Sequence, residues 1–200
     1  MGERDRTASV DRKTKETRIK VRINLDGGSP SVRTGVPFLD HMLTLTAAHG
    51  GLGLDLRATG DLEVDDHHLV EDAGISLGHV LLQALGDRKG IRRYASALVP
   101  MDEALAQLAL DLSGRPMLVF GAYPQAMKSK MVKTFDIDLV EEFFLGFVRN
   151  AQCTLHVRPL EGKNAHHVIE AVFKAFGRAL GDACLRDGRF KGVPSTKGSL

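Results

Sequence analysis

Asp65-Asp66-His67-His68-Leu69-Val70-Glu71-Asp72 recurs later in the chain as Asn164-Ala165-His166-His167-Val168-Ile169-Glu170-Ala171. Each copy opens an apolar stripe at helical spacing. The first carries Val70, Ala73, Leu77, Val80, Leu81 and Ala84; the second carries Val168, Ile169, Val172, Phe173, Phe176 and Leu180. Upstream of the first copy, Ile19, Val21, Ile23 and Leu25 alternate with Arg18, Lys20, Arg22 and Asn24, the period of a half-exposed strand. After the Asp26-Gly27-Gly28-Ser29-Pro30 turn, Pro37 opens a helix through Phe38, Met42 and Leu45 that ends at Gly50-Gly51. Leu52, Leu54, Leu56 and Ala58 alternate as a second strand.

The same order returns before the second copy. Leu108, Leu110 and Leu112 alternate, Ser113-Gly114-Arg115-Pro116 turns, Leu139 to Phe147 form a helix stripe, and Cys153, Leu155 and Val157 alternate. Each half reads strand, turn, helix, strand, loop, His-His-x-x-Glu helix, which is an internal repeat. Aligning Asn24-Leu25-Asp26-Gly27 with Asp111-Leu112-Ser113-Gly114 sets Glu16 opposite Glu103, and aligning the middle helices sets His41 opposite Glu142. The expectation is an α+β fold of two pseudo-symmetric halves, each a sheet with helices, forming one domain. The repeats fall at about 8–92 and 93–185, leaving 186–200 as a mobile tail without apolar period.

Composition narrows the function classes. A formal net charge of +2 is too near neutral for a broad nucleic-acid-binding face. No apolar run approaches the length of a membrane span. Residues 1–15 are dense in charge and do not read as a signal peptide, so the cytoplasm is the expected compartment. Cys153 and Cys184 sit among apolar residues and read as buried thiols, not as a disulfide or a zinc site.

Positions i and i+4 of a helix lie about 6 Å apart on one face. His67 therefore points with Glu71, and His166 with Glu170, pairing an imidazole nitrogen with a carboxylate oxygen as Mn²⁺, Fe²⁺ or Zn²⁺ prefer. His68 and His167 point about 100° away from their neighbours, so they serve a second ion or one shared with another subunit. A lone histidine is usually just a solvated side chain. Two copies at equivalent places, using five of the eight histidines once His41 is added, point to metal. The order of residues differs from the peptidase pattern His-Glu-x-x-His.

Taken together, Phe38-Leu39-Asp40-His41-Met42, the two His-His-x-x-Glu segments, Leu112-Ser113-Gly114-Arg115-Pro116 and Pro194-Ser195-Thr196-Lys197-Gly198 resemble the imidazoleglycerol-phosphate dehydratase family. The resemblance runs from about Glu16 to Gly198. It implies ribosomal protein S5 domain 2-like repeats, two Mn²⁺ per active site, and dehydration of imidazole glycerol phosphate to imidazole acetol phosphate in histidine biosynthesis. It also implies a large octahedral homo-oligomer of 24 subunits with shared sites. Carried over, it makes His41, His67, His68, Glu71, His166, His167 and Glu170 metal ligands. Plant members have a further ligand histidine where this chain has Glu142. Glu16 matches a carboxylate beside the substrate, Arg93, Arg115, Ser195 and Lys197 the phosphate pocket, and Lys174 a residue near the site. Either Glu16 or a ligand glutamate, Glu71 or Glu170, moves the proton. The rival readings are a di-metal hydrolase and a metal-binding shell protein; the second leaves Arg93, Arg115 and the Ser195–Lys197 segment without a task.

Overall fold

The computed structural model describes residues 6–189 and 192–195. In chain order the elements are β1 (Thr7–Lys13), β2 (Thr17–Asn24), β3 (Ser31–Arg33), α1 (Pro37–Gly50), β4 (Gly53–Gly60) and α2 (His67–Leu85). The second half continues with β5 (Tyr94–Met101), β6 (Ala104–Asp111), β7 (Met117–Phe120), a small hairpin of β8 (Met131–Val132) and β9 (Phe135–Asp136), α3 (Leu139–Ala151), β10 (Thr154–Glu161) and α4 (Ala165–Cys184).

Two four-stranded mixed sheets result, in the orders β1-β2-β4-β3 and β5-β6-β10-β7. Their registers repeat. Thr7 pairs with Asn24 and Tyr94 with Asp111, and the offset is the same at both ends (94 − 7 = 111 − 24 = 87). The expected plan of two similar halves is therefore present, but each half also has an outer antiparallel strand and a short parallel one. β1 escapes pattern reading because it is an edge strand with polar outward positions, Ser9, Asp11 and Lys13, and with Arg12 on its inner side, so it shows no clean apolar alternation.

Alternation does what it predicts in β2, where Ile19, Val21 and Ile23 are buried and Arg18, Lys20 and Arg22 exposed. The inner faces of both sheets turn to the helices, with Leu56, Leu108, Leu155 and Val157 at 1% exposure or less. α2 packs on the first sheet and α4 on the second, yet the closest helix pairs cross between halves, α1 with α4 and α2 with α3. A ladder of rings fills the space between α3 and α4, with Phe144 to Phe176 at 5.1 Å and Phe147 to Phe176 at 5.0 Å between centroids. Edge-to-face contacts of this kind add to the burial of large apolar area.

Both metal-motif helices are capped by side chains at their first turns. Asn164 accepts from the His166 amide at 2.9 Å. In α2 it is Asp65, not the N-cap residue Asp66, whose carboxylate accepts from the His67 amide, at 2.8 Å. Cys153 and Cys184 are free and buried, and burial pushes both thiols up to about 12.

The crossed helix pairs approach at glycine. A Cβ on Gly181 would meet the Gly50 carbonyl oxygen, and one on Gly74 would meet that of Phe143. Overpacking of this kind typically costs about 1–3 kcal/mol. Gly74→Ala and Gly181→Ala should each lower the urea midpoint by that order, whereas Gly188→Ala, which meets nothing within 4 Å, should leave it unchanged. Equal midpoints for all three would show that the helices do not touch there.

Candidate metal centre

Crosswise pairing decides which ligands meet. His41 on α1 does not face the His67 helix of its own half. Its Nε2 lies 3.3 Å from Glu170 Oε2 on α4, and His166 Nε2 lies 3.1 Å from the same oxygen. Ligand atoms of His41, His166 and Glu170 all lie within 4.8 Å of one another, and among the described residues this is the one such group of three. Two imidazole nitrogens and one carboxylate suit a divalent transition ion. Phe38 sets its ring against His166 at 5.2 Å and against Phe135 of β9 at 5.1 Å, so an apolar wall fixes the imidazole.

Glu170 is 8% exposed at its side chain and pairs with Lys174 at 2.6 Å. Burial pushes this carboxyl up, but the Lys174 ammonium and the hydrogen bonds with His41 and His166 outweigh it and hold it below its ordinary range. Lys174, one helical turn on, thus grips Oε1 and leaves Oε2, the oxygen facing the two histidines, on an ionised carboxylate.

The other motif stands apart in the single chain. His68 turns its Nδ1 to Asp61 at 3.0 Å, with Glu16 at 4.0 Å. His167 turns its Nδ1 to Glu103 at 2.7 Å. Rings of neighbouring histidines are nearly perpendicular, at 82° for His67 and His68 and 87° for His166 and His167. The adjacent side chains also reach different partners, His166 turning to Glu170 and His167 to Glu103. Glu142 lies on α3, which packs on α2 as α1 packs on α4. The repeat equivalence with His41 therefore holds for the backbone, although Glu142, His67 and Glu71 do not converge as the α1/α4 group does.

Glu16 and Glu103 occupy the tips of equivalent hairpins, but their states differ. Glu103 accepts from the Lys163 and Asn164 amides as well as from His167, and these bonds, His167 first, pull its carboxyl down to about 2. Glu16 is exposed, and among the described residues its side chain makes only the long contact with His68. Its hairpin is tied to α2 beneath it: Asp72 pairs with Arg12 at 2.6 Å and accepts from the Thr17 hydroxyl. At the equivalent places the second half has Val99, Ala104 and Ala171, an apolar joint.

Of the anion-binding residues expected, Arg93 is buried and already committed. Its guanidinium donates to both Asp111 oxygens, at 2.7 and 3.2 Å, and to the Pro194 carbonyl at 2.7 Å. Its backbone takes φ +72°, and its guanidinium lies 4.5 Å from the Tyr94 ring centre. Arg93 thereby seats the segment that carries Ser195. Arg115 is the open member, with 68% of its side chain exposed and Asp111 3.7 Å away. Lys197 lies outside the described residues. Sequence reading passed over Asp61 and Asp111. It set Glu103 opposite Glu16, which was the signal for its place, without assigning it a partner.

Asp111 is 17% exposed and Arg93 8% at their side chains. Removing one partner of a buried pair strands the other charge, at about 3–5 kcal/mol. Asp111→Ala should lower the urea midpoint accordingly, while Arg115→Ala should keep stability within about 0.5 kcal/mol. A fully stable Asp111→Ala variant would mean that Arg93 has another counter-charge.

Comparison with known proteins shows the family. The profile of the family described as imidazoleglycerol-phosphate dehydratase matches residues 34–180. The chain is 54% identical over 196 residues to the imidazoleglycerol-phosphate dehydratase of Oceanobacillus iheyensis, covering 98% of this chain and all of that one. It is 57% identical over 197 residues to that of Acetivibrio thermocellus, with 98% and 100% covered. The crystal structure of the Staphylococcus aureus enzyme superposes with a TM-score of 0.81 at 44% identity, covering 90% of this chain and 99% of that one. The Pyrococcus furiosus structure, in complex with (S)-C348, gives 0.81 at 38% identity over 96% and 100%. Family profile, near-complete coverage and shared fold agree: the chain belongs to the imidazoleglycerol-phosphate dehydratase family.

Proposed function

We propose that this chain dehydrates D-erythro-imidazole glycerol phosphate to imidazole acetol phosphate and water, the hydro-lyase step of histidine biosynthesis, in the cytoplasm. The observation that carries the reading is the His41, His166 and Glu170 group, gathered by two helices from different halves. We assign the ion as Mn²⁺, two per active site, held by His41, His67, His68, Glu71, His166, His167 and Glu170, with Glu142 as the eighth ligand. Bound there, the ions supply Lewis acidity and a template for the substrate's imidazole.

The remaining work falls to the chain. Arg115, Ser195 and Lys197 take the phosphate, whose dianion an arginine fork matches, and Arg93 holds the Ser195 segment beside them. Residues 186 and 187 are already held without phosphate, Arg186 bridging to Ile91 and the Asp187 amide donating to the Gly90 carbonyl at 2.8 Å, so on this reading phosphate acts on the chain beyond them. Glu16, exposed on its hairpin near His68, moves the proton at the substrate carbon, with Glu71 and Glu170 as the alternative carriers. Lys174 keeps Glu170 charged.

In one chain, His67, His68 and Glu71 stand apart from the α1/α4 group, so a second copy is needed to complete a two-ion site. An exposed apolar face supports self-association: Tyr94, Leu98 and Met117 are 58%, 60% and 56% exposed on the second sheet. We take the assembly to be the octahedral 24-mer. No nucleic-acid or membrane partner belongs to this reading, and among the described residues no helix is long and apolar enough to cross a membrane.

Incubation with imidazole glycerol phosphate and Mn²⁺ should yield the ketone product, and exhaustive chelation should abolish turnover and loosen the assembly together. Full activity in protein shown by elemental analysis to be free of metal would sink the reading. Glu142→Ala should lower Mn²⁺ content and Glu141→Ala should not. Equal, unchanged content in both would return Glu142 to the surface.

A further inference from the structure

The two outward histidines are held by carboxylates that come from different places in the repeat. In the second half, the hairpin-tip residue Glu103 accepts from His167 Nδ1 at 2.7 Å. Its equivalent in the first half is Glu16, yet Glu16 stands 4.0 Å from His68 Nδ1, outside hydrogen-bond distance. The bond to His68 Nδ1 is made instead by Asp61, at 3.0 Å. Asp61 follows Gly60, and the counterpart of Gly60 past the bulge in β10 is Gly162, each lying against equivalent neighbours, Thr17 and Leu69 or Ala104 and Val168. The residue in the place of Asp61 is therefore Lys163, whose side chain has no acceptor to offer and whose amide donates to Glu103.

Both carboxylates are at least partly withdrawn from solvent. Glu103 is gripped by the Lys163 and Asn164 amides at 3.1 and 2.9 Å. Asp61 is 21% exposed at its side chain, and among the described residues its second oxygen, Oδ1, is buried without a hydrogen-bond partner.

An imidazole that donates from Nδ1 to a carboxylate keeps its lone pair on Nε2, the atom then offered to a cation. Asp102 Oδ2 lies 3.9 Å from His167 Nε2 and is exposed, so it does not claim that atom. We propose that Asp61 and Glu103 are positioning residues that hold His68 and His167 in the Nε2-ligating tautomer, and that Asp61, by taking this task in the first half, leaves Glu16 free for the substrate. The proposal rests on His68 and His167 being metal ligands.

The test reads Mn²⁺ affinity, not turnover. Full-length metal-free protein is titrated with Mn²⁺ and the free ion followed by electron paramagnetic resonance, with circular dichroism as the check on folding. Loss of a carboxylate behind a ligating histidine typically weakens metal binding about 10- to 100-fold. Asp61→Asn and Glu103→Gln, which keep shape and lose charge, should weaken binding about tenfold, and Asp61→Ala more. Glu16→Gln should bind as the wild type does. Adding Asp61→Ala to a His68→Ala background should cause no further loss, because Asp61 acts through that ring. Wild-type affinity in Asp61→Asn or Asp61→Ala would overturn the positioning role. Weakening by Glu16→Gln equal to that of Asp61→Asn would overturn the division of labour. His68→Ala alone separates the two levels: if it binds Mn²⁺ as tightly as wild type, the ligand reading itself fails.

Discussion

The structure depends on helices from different halves coming close enough for backbone to touch backbone. Small residues permit it. Gly177 and Gly181 on α4 lie against Thr46 and Gly50 on α1, and Gly74 and Gly78 on α2 lie against Phe143 and Phe147 on α3. Without that closeness, His41 could not reach the carboxylate of Glu170, because α1 and α4 rest on separate sheets. The cost of removing side chains from helix interiors, of order 1 kcal/mol per glycine, is offset by the interlocked rings and aliphatic chains around these crossings. A binding centre assembled this way exists only when both halves are folded and docked, which ties ion binding to the integrity of the domain.

Much of this was legible in the residues. The doubled His-His-x-x-Glu motif, the alternating strands and the pairing of Glu16 with Glu103 all follow from period and spacing, and the identical strand registers agree with that alignment. Three things were not legible. Edge strand β1 has no apolar face strong enough to mark it, since an edge is kept charged against unwanted pairing. The choice of partner helix was equally hidden. Period reveals which face of a helix is apolar, but not whether that face meets its own half or the other, and the answer here lies in glycines whose spacing also fits an ordinary helix. Asp61 was invisible for a further reason. Its role comes from a contact across seven residues of chain, between a strand end and a helix start, and no motif records such geometry.

Charge distribution follows the same history of doubling and divergence. Under the Glu16 hairpin lies an ionic joint of Arg12, Asp72 and Thr17; under the Glu103 hairpin lie Val99, Ala104 and Ala171. The first joint is directional and holds one geometry through hydrogen bonds and charge. The second is held by packing, and its tip is fixed from above by the Lys163 and Asn164 amides instead. Similar backbones are thus steadied by different physics, and the two carboxylates at the tips end in opposite conditions, one saturated with donors and one open.

The outer faces of the sheets have diverged as well. The first shows Lys20, Arg22, Asp55 and Arg57, and the second shows Leu98, Met117, Val119 and Leu160. A molecule with near-equivalent halves would ordinarily be ambiguous from end to end, so that copies approaching through their sheets would dock either way up. Here one end sheds water readily and the other keeps it. Approach through the sheets is therefore polar in the geometric sense. The backbone symmetry of the chain is cancelled at its surface, so two faces that the fold makes alike are told apart by water alone.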